Sequence, residues 1–268
     1  MAACGVGPAE HPYHRVGDAD GDVLVVLPGV TDGLGWWNDP GRLTAAALSY
    51  YFRAYREYDV WVVSRPPGVP EGADAAALAA GYAEVLDEIG RAHVLGISLG
   101  GAIGAHLAAE TDLVRRLVLV SCGAGLGAFG RQTVTRWRDL ASQRRYRDLH
   151  LEYVRRVYAG YRRLVVPPLY RLGARWLPEP PVTGDVERAC EAMLAYDGAV
   201  LSAVSVPALV VGGRRDSLVP RASHRLAVDR LGCPLALAPG GHAVYEESRR
   251  ALASVVGPFL AGDRLTPR

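Results

Sequence analysis

The sequence predicts an α/β protein: a mostly parallel, doubly wound sheet flanked by helices, with an inserted helical lid. Three observations carry that expectation. Short, continuous apolar runs recur along the chain, as they do in strands buried on both faces. Amphipathic helical stretches separate most of these runs, the pattern of parallel strands with helical crossovers. Residues 123–206 break the rhythm, holding helical patterns and no convincing strand.

Residues 11–28 read as a hairpin of two short strands. Asp18-Ala19-Asp20-Gly21-Asp22 supplies the turn, and Val23–Leu27 is a buried run. A helical stretch over Leu43–Tyr55 leads to a second buried strand, Asp59–Ser64. Ala73–Ile89 carries Leu78, Tyr82, Val85, Leu86 and Ile89 at helical spacing and stops at Gly90. Strand-like runs follow at Ala92–Ile97, Leu117–Cys122, Ala208–Gly212 and Leu235–Ala238. Within the intervening segment, Pro167-Pro168 and Leu177–Val182 interrupt the helices. Residues 1–122 and 207–268 are therefore expected to form the core, and 123–206 a lid over the carboxyl ends of the strands, where such sheets bind ligands.

Composition narrows the function classes. Half of the 268 residues are apolar and the formal charge is +2, which excludes a disordered chain and favours neither nucleic acid nor membrane as partner. No apolar run approaches the ~20 residues a membrane helix needs, and no export signal is visible, so the cytoplasm is the expected location. The basic residues are all arginine. Cys4, Cys122, Cys190 and Cys233 stand far apart with no paired-ligand spacing, so buried thiols are expected and neither metal nor cofactor is called for.

The chemistry shows itself at Gly96-Ile97-Ser98-Leu99-Gly100-Gly101, directly after the strand AHVLGI and opening a small-residue helix over Ala102–Ala109. A G-x-S-x-G string in that context forms a strand-to-helix turn so sharp that the serine is strained and its hydroxyl lifted from the sheet. Gly96 and Gly100 leave room where strand and helix cross. A serine hydroxyl needs a base, and the base needs a partner to fix its tautomer. Asp216, in GGRRDSLVP just past a strand, and His242, in PGGHAVYEES before the final helix, follow in the order serine, acid, histidine. His224 and Asp229 fall inside a helical stretch and fit less well.

With those residues in hand, the chain resembles the α/β-hydrolase superfamily, in its serine-nucleophile, lid-bearing branch, over essentially its whole length. GISLGG, VSVPALVVGGRRDSLVP and GGHAVYEES carry the resemblance. It implies catalysis by Ser98, Asp216 and His242, with oxyanion donors at the N–H groups of Leu99 and Val30. Two departures stand out. Pro28-Gly29-Val30 replaces the usual His-Gly-x, and Ser64-Arg65-Pro66-Pro67-Gly68 replaces an Asp-x-Arg-Gly-like loop. Asp32, beside Val30, receives no role. A serine nucleophile argues against the aspartate-using epoxide hydrolase and dehalogenase branches.

Trp36, Trp37, Trp137 and Tyr196 are the candidates to line an apolar substrate pocket. Residues 131–175 carry twelve arginines against Asp139, Asp148 and Glu152. Such a segment either attracts an anionic substrate or an acidic carrier protein, or simply presents solvated helix faces, the reading favoured here. The expected partner is a small acyl compound, and the expected reaction cleavage of a carboxylic ester or lactone. Thioester hydrolysis on a carrier- or CoA-bound acyl group, C–C bond hydrolysis, cyclisation and a non-catalytic binding role are the alternatives. A G-x-G-x-x-A string at 123–128 also invites a dinucleotide reading, but it lies mid-chain, after the serine turn, and fits a strand-to-lid hinge better.

Overall fold

Alternating apolar side chains bury both faces of a single sheet in the computed structural model, which describes residues 3–34, 42–173, 177 and 179–263. Along β3 (Val23–Leu27), Leu24 and Val26 face one core and Val25 and Leu27 the other, because successive strand residues point to opposite sides. β5 (Ala92–Ile97), β6 (Val114–Val120) and β7 (Ala208–Gly213) likewise supply both cores. Neither face can be left to water.

The sheet has eight strands in the order β1-β2-β4-β3-β5-β6-β7-β8, with β1 at Ala3–Val6, β2 at Pro12–Gly17, β4 at Asp59–Val63 and β8 at Leu235–Ala238. Neighbours from β4 to β8 run parallel, and β2 runs antiparallel to both β1 and β4. This corrects the hairpin expected over residues 11–28: β2 and β3 do not pair, because β4 lies between them. β3 is buried on both sides and gains most as a central strand between parallel neighbours. The aspartate-rich turn still forms, with Gly21 N–H donating to Asp18 O, and the Asp18 N–H docks it on Tyr58 O. β1 was not foreseen, since all four of its residues are exposed and show no apolar alternation.

Helices cover both faces. α1 (Arg42–Tyr51) and α10 (Arg249–Leu260) place Leu48, Leu252, Val256 and Phe259 on one side. α2 (Ala75–Ile89), α3 (Leu99–Glu110) and α8 (Arg221–Leu231) cover the other. α2 starts where the Asp74 carboxylate accepts the Ala77 N–H at 2.8 Å, and it ends at Gly90, whose φ of 85° suits a residue without a Cβ. Between β6 and β7 come α4 (Ala128–Ser142), α5 (Tyr146–Val157), α6 (Arg162–Leu172) and α7 (Asp185–Ala195). Pro167-Pro168 do not interrupt this segment as expected but lie inside α6. Each proline removes its own N–H from the ladder and pushes on the carbonyl four residues back, and the exposed flank at Leu164 and Val165 lets that side of the helix give and meet water. α9 (Val244–Glu247) is a single turn before α10.

Among the described residues no helix is long and apolar enough to cross a membrane, and no group of three or more potential ligands could hold a metal. Cys122 and Cys190 are buried thiols, each pushed up to about 12 by burial, whereas Cys4 is exposed and Cys233 half-buried, against the expectation.

β5 also buries His93, whose ring meets the edge of Tyr58. Burial, helped by Arg115 and Arg116 against the pull of Asp22, lowers its imidazole to about 4. A histidine that folds neutral stabilises the native state fully above its unfolded value of ~6.5 and loses that contribution as pH falls toward the folded value. Of the stability lost between about pH 7.5 and 5, roughly 2 kcal/mol is expected to come from this residue. Urea unfolding of the wild type and His93→Phe at both values checks this; equal losses in the two proteins would contradict it.

Candidate active site

α3 can leave the end of β5 as sharply as it does because three glycines sit where the backbones meet. A Cβ on Gly96 would fall 2.3 Å from Gly100 O, one on Gly100 2.0 Å from Leu27 O, and one on Gly101 2.5 Å from Cys122 Cβ. The turn forces Ser98 to φ 53° and ψ −115°, a conformation an L-residue holds only under constraint from its surroundings. Leu99 is the first residue of α3, so its N–H has no acceptor within the helix and carries the positive end of the helix dipole.

Two loops from the far half of the sequence meet this serine. His242 Nε2 lies 3.1 Å from Ser98 Oγ, and His242 Nδ1 lies 2.9 Å from Asp216 Oδ2. Burial works to raise the Asp216 carboxyl, but its contact with His242 and the N–H of Val219 outweigh it and hold the carboxyl below its ordinary value. An ionised carboxylate can only accept, so the imidazole proton belongs on Nδ1 and Nε2 is left to accept from the serine. Asp216 Oδ1 accepts the N–H groups of Leu218 at 2.9 Å and Val219 at 3.0 Å, which fixes the acid in place. Ser121 Oγ donates to the His242 carbonyl at 2.7 Å. His224 packs against Gly212 near Asp216 and is lowered by burial; it bonds to neither Ser98 nor Asp216.

The loop after β3 closes the other side. A Cβ on Gly29 would lie 3.4 Å from Ser98 Cβ, and Val30 opens the 3-10 turn Val30–Leu34, so its N–H also lacks an intrahelical acceptor. Asp32 and Arg65 are buried behind this loop, 3.7 Å apart. Burial raises the Asp32 carboxyl against the pull of Arg65.

The helices inserted after β6 are tied to these loops by polar contacts. The Asp185 carboxylate, in the first turn of α7, accepts the N–H groups of Gly68 and Val69 at 2.9 Å each. Glu247 accepts from Ala159 N–H at 2.8 Å and Gly241 N–H at 2.5 Å, and Ala243 N–H donates to Val157 O at 3.0 Å. Tyr158 donates to Glu246 at 2.5 Å, a carboxyl that burial raises. The Tyr153 hydroxyl lies 3.4 Å from that of Tyr245 and faces Thr31. The end of α5 is thus stapled to the loop that carries His242.

The structure brings together Ser98, Asp216, His242, Leu99 and Val30. Trp137 is buried in α4 with its ring 5.4 Å from that of Tyr153, while Tyr196 is buried beside the Cys122 thiol. Trp36 and Trp37 lie outside the described residues. Ser121, Arg65, Asp185 and Glu247 were missed. Most of their partners are far away in sequence; the visible signals were the departure of SRPPG from the expected loop and the place of Glu247 within GGHAVYEES.

A strained serine turn on a mostly parallel sheet thus faces a histidine–aspartate pair on later loops. The sequence profile of the alpha/beta hydrolase family matches residues 24–255, and the chain belongs to that family. No curated protein sequence matches it significantly. Solved structures share the fold at low identity. The enol-lactonase from Burkholderia xenovorans LB400 superposes with a TM-score of 0.74 at 22% identity, covering 94% of this chain and 97% of that one. A thermophilic esterase from Thermogutta terrifontis gives 0.73 at 18%, covering 97% and 98%. The 2-hydroxy-6-oxo-6-phenylhexa-2,4-dienoate hydrolase from Rhodococcus sp. strain RHA1 gives 0.75 at 16%, covering 98% and 99%.

The glycine contacts make a graded prediction. A methyl at Gly100 meets fixed backbone, whereas one at Gly101 meets the Cys122 side chain. Gly100→Ala is expected to cost about 3 kcal/mol or more, and Gly101→Ala about 1–2 kcal/mol. Thermal and urea unfolding compare them; equal costs would contradict this account of the close approach.

Proposed function

We propose that the chain is a serine hydrolase that cleaves a small-molecule carboxylic ester or lactone through an acyl-enzyme on Ser98. The observation that carries the reading is the unbroken chain of hydrogen bonds from Asp216 through His242 to a left-handed Ser98 at a helix N-terminus. His242 Nε2 takes the hydroxyl proton as Ser98 Oγ attacks the carbonyl carbon. Asp216 stabilises the imidazolium that results. The N–H groups of Leu99 and Val30 receive the oxyanion. His242 then gives the proton to the departing alkoxide, which in a lactone stays tethered to the acyl group. In the second half a water, deprotonated by His242, attacks the ester carbonyl, and the acid leaves as Ser98 recovers its proton.

In this reading residues 1–122 and 207–268 are the catalytic core and 123–206 a lid. The burial of Ser98 at 8% exposure supports a lid that must yield to admit substrate. Arg138, Arg145, Arg155 and Arg156 pair with acids of their own segment at the surface. That supports solvated helix faces and an uncharged acyl substrate.

Intact-mass analysis with a fluorophosphonate, beside hydrolysis of p-nitrophenyl esters and simple lactones, tests the reading. The wild type is expected to gain one phosphonyl group and to turn over, and Ser98→Ala to do neither. Asp216→Asn is expected to lose about 10³–10⁴ in kcat. Equal labelling of Ser98→Ala, or unchanged turnover in either variant, would overturn it.

A further inference from the structure

The proposed hydrolysis needs one peptide group, that joining Gly29 to Val30, to keep a single orientation, and we infer that Arg65 is the positioning residue that holds it. This inference rests on the hydrolase reading and on the Val30 N–H as an oxyanion donor. In a trans peptide the carbonyl oxygen and the amide hydrogen point in opposite directions within one plane. The Gly29 oxygen accepts from Arg65 Nη2 at 2.9 Å and from the Asp32 N–H at 3.2 Å. Whatever fixes that oxygen fixes the Val30 N–H on the far side of the same plane.

The rest of the guanidinium extends the grip. It reaches Pro28 O at 3.4 Å and Val30 O at 3.5 Å, so three successive carbonyls converge on one cation. Gly29 meanwhile stands against Ser98. The Gly29 oxygen is thereby held on the Arg65 side of the loop.

Asp32 holds the cation where it is needed. Its side chain is fully buried, its Oδ2 accepts the backbone N–H of Arg65 at 2.8 Å, and the same oxygen lies 3.7 Å from the guanidinium. Asp32 thus acts twice, by its own N–H on Gly29 and by its carboxylate on Arg65. A planar fork with five donors spans a carboxylate and several carbonyls at once; the point charge of lysine does not. The SRPPG loop places an arginine directly after Ser64, with Pro66 and Pro67 stiffening the backbone that follows.

Without the cation the Gly29–Val30 peptide can turn, which removes one oxyanion donor. That costs about 10²–10³ in rate and spares ground-state binding. The probes are p-nitrophenyl butyrate as substrate and phenylboronic acid as the ligand that forms an anionic tetrahedral adduct on the serine. Arg65→Met, Arg65→Lys and the double variant Arg65→Met/Asp32→Asn are compared with the wild type, with kcat expressed per fluorophosphonate-titrated serine. The double variant leaves no unpaired buried charge and stays informative if Arg65→Met fails to fold.

The expected result is kcat down about 100-fold in the Met variants, KM within about threefold of the wild type, and boronate affinity weakened in step with kcat. Arg65→Lys is expected to fall in between. Wild-type kcat and boronate affinity in the folded double variant would overturn the inference. So would a loss of kcat with boronate affinity intact, the mark of a merely structural role. A wild type that neither labels nor hydrolyses would remove the hydrolase reading itself, and this inference with it.

Discussion

The site depends on how closely one helix approaches the strands beneath it. Gly96, Gly100 and Gly101 let α3 pack against the ends of β5, β3 and β6 at separations that leave no room for a methyl group. That contact sets the angle at which the helix leaves the sheet, and the angle sets the backbone of Ser98. The strain at Ser98 is stored locally and held by the packing of the whole sheet. The near-complete burial of α3 makes the helix a rigid mount, so the Leu99 N–H is placed by the fold and not by the loop that follows it.

Around this rigid mount the other groups arrive on loops, and loops need polar anchors to hold position. Asp216 is fixed by two backbone N–H groups, His242 by the Ser121 hydroxyl on its carbonyl, and the Gly29–Val30 turn by Arg65. Asp185 and Glu247 do the same for the contacts between the inserted helices and the core. Every one of these anchors is a side chain bonded to backbone. Such bonds fix a loop without requiring a particular neighbouring side chain, so the sequence around them can vary while the geometry stays.

The difference between what could be read in the sequence and what could not follows from this division. Elements with a local signature were legible: the buried strand runs, the capped α2, and the glycine-serine-glycine turn with its helix. The order of later strands also located Asp216 and His242 by context. The anchors that join distant segments were not legible, because their partners lie far along the chain. Ser121 reaches a residue 121 positions away, and Asp185 one 117 positions away. Ser121 adopts a left-handed backbone at φ 49° without the glycine that would have announced it. The pairing of β2 with β4 in place of β3 escaped for a similar reason: turn chemistry says that the chain reverses, not which strand fills the gap. Exposed β1 carried no pattern at all, and the double proline inside α6 misled because a surface helix tolerates what a buried one does not.

The central claim is that a pre-set turn presents Ser98 to a carbonyl while two backbone N–H groups wait for the oxyanion. A crystal structure of the chain after reaction with a phosphonate ester tests it most directly. The account predicts a covalent bond from Ser98 Oγ to phosphorus and a phosphoryl oxygen within about 3 Å of both the Leu99 and Val30 nitrogens, with His242 still bonded to Asp216. A phosphoryl oxygen turned away from both nitrogens, or an adduct on any other residue, would contradict it.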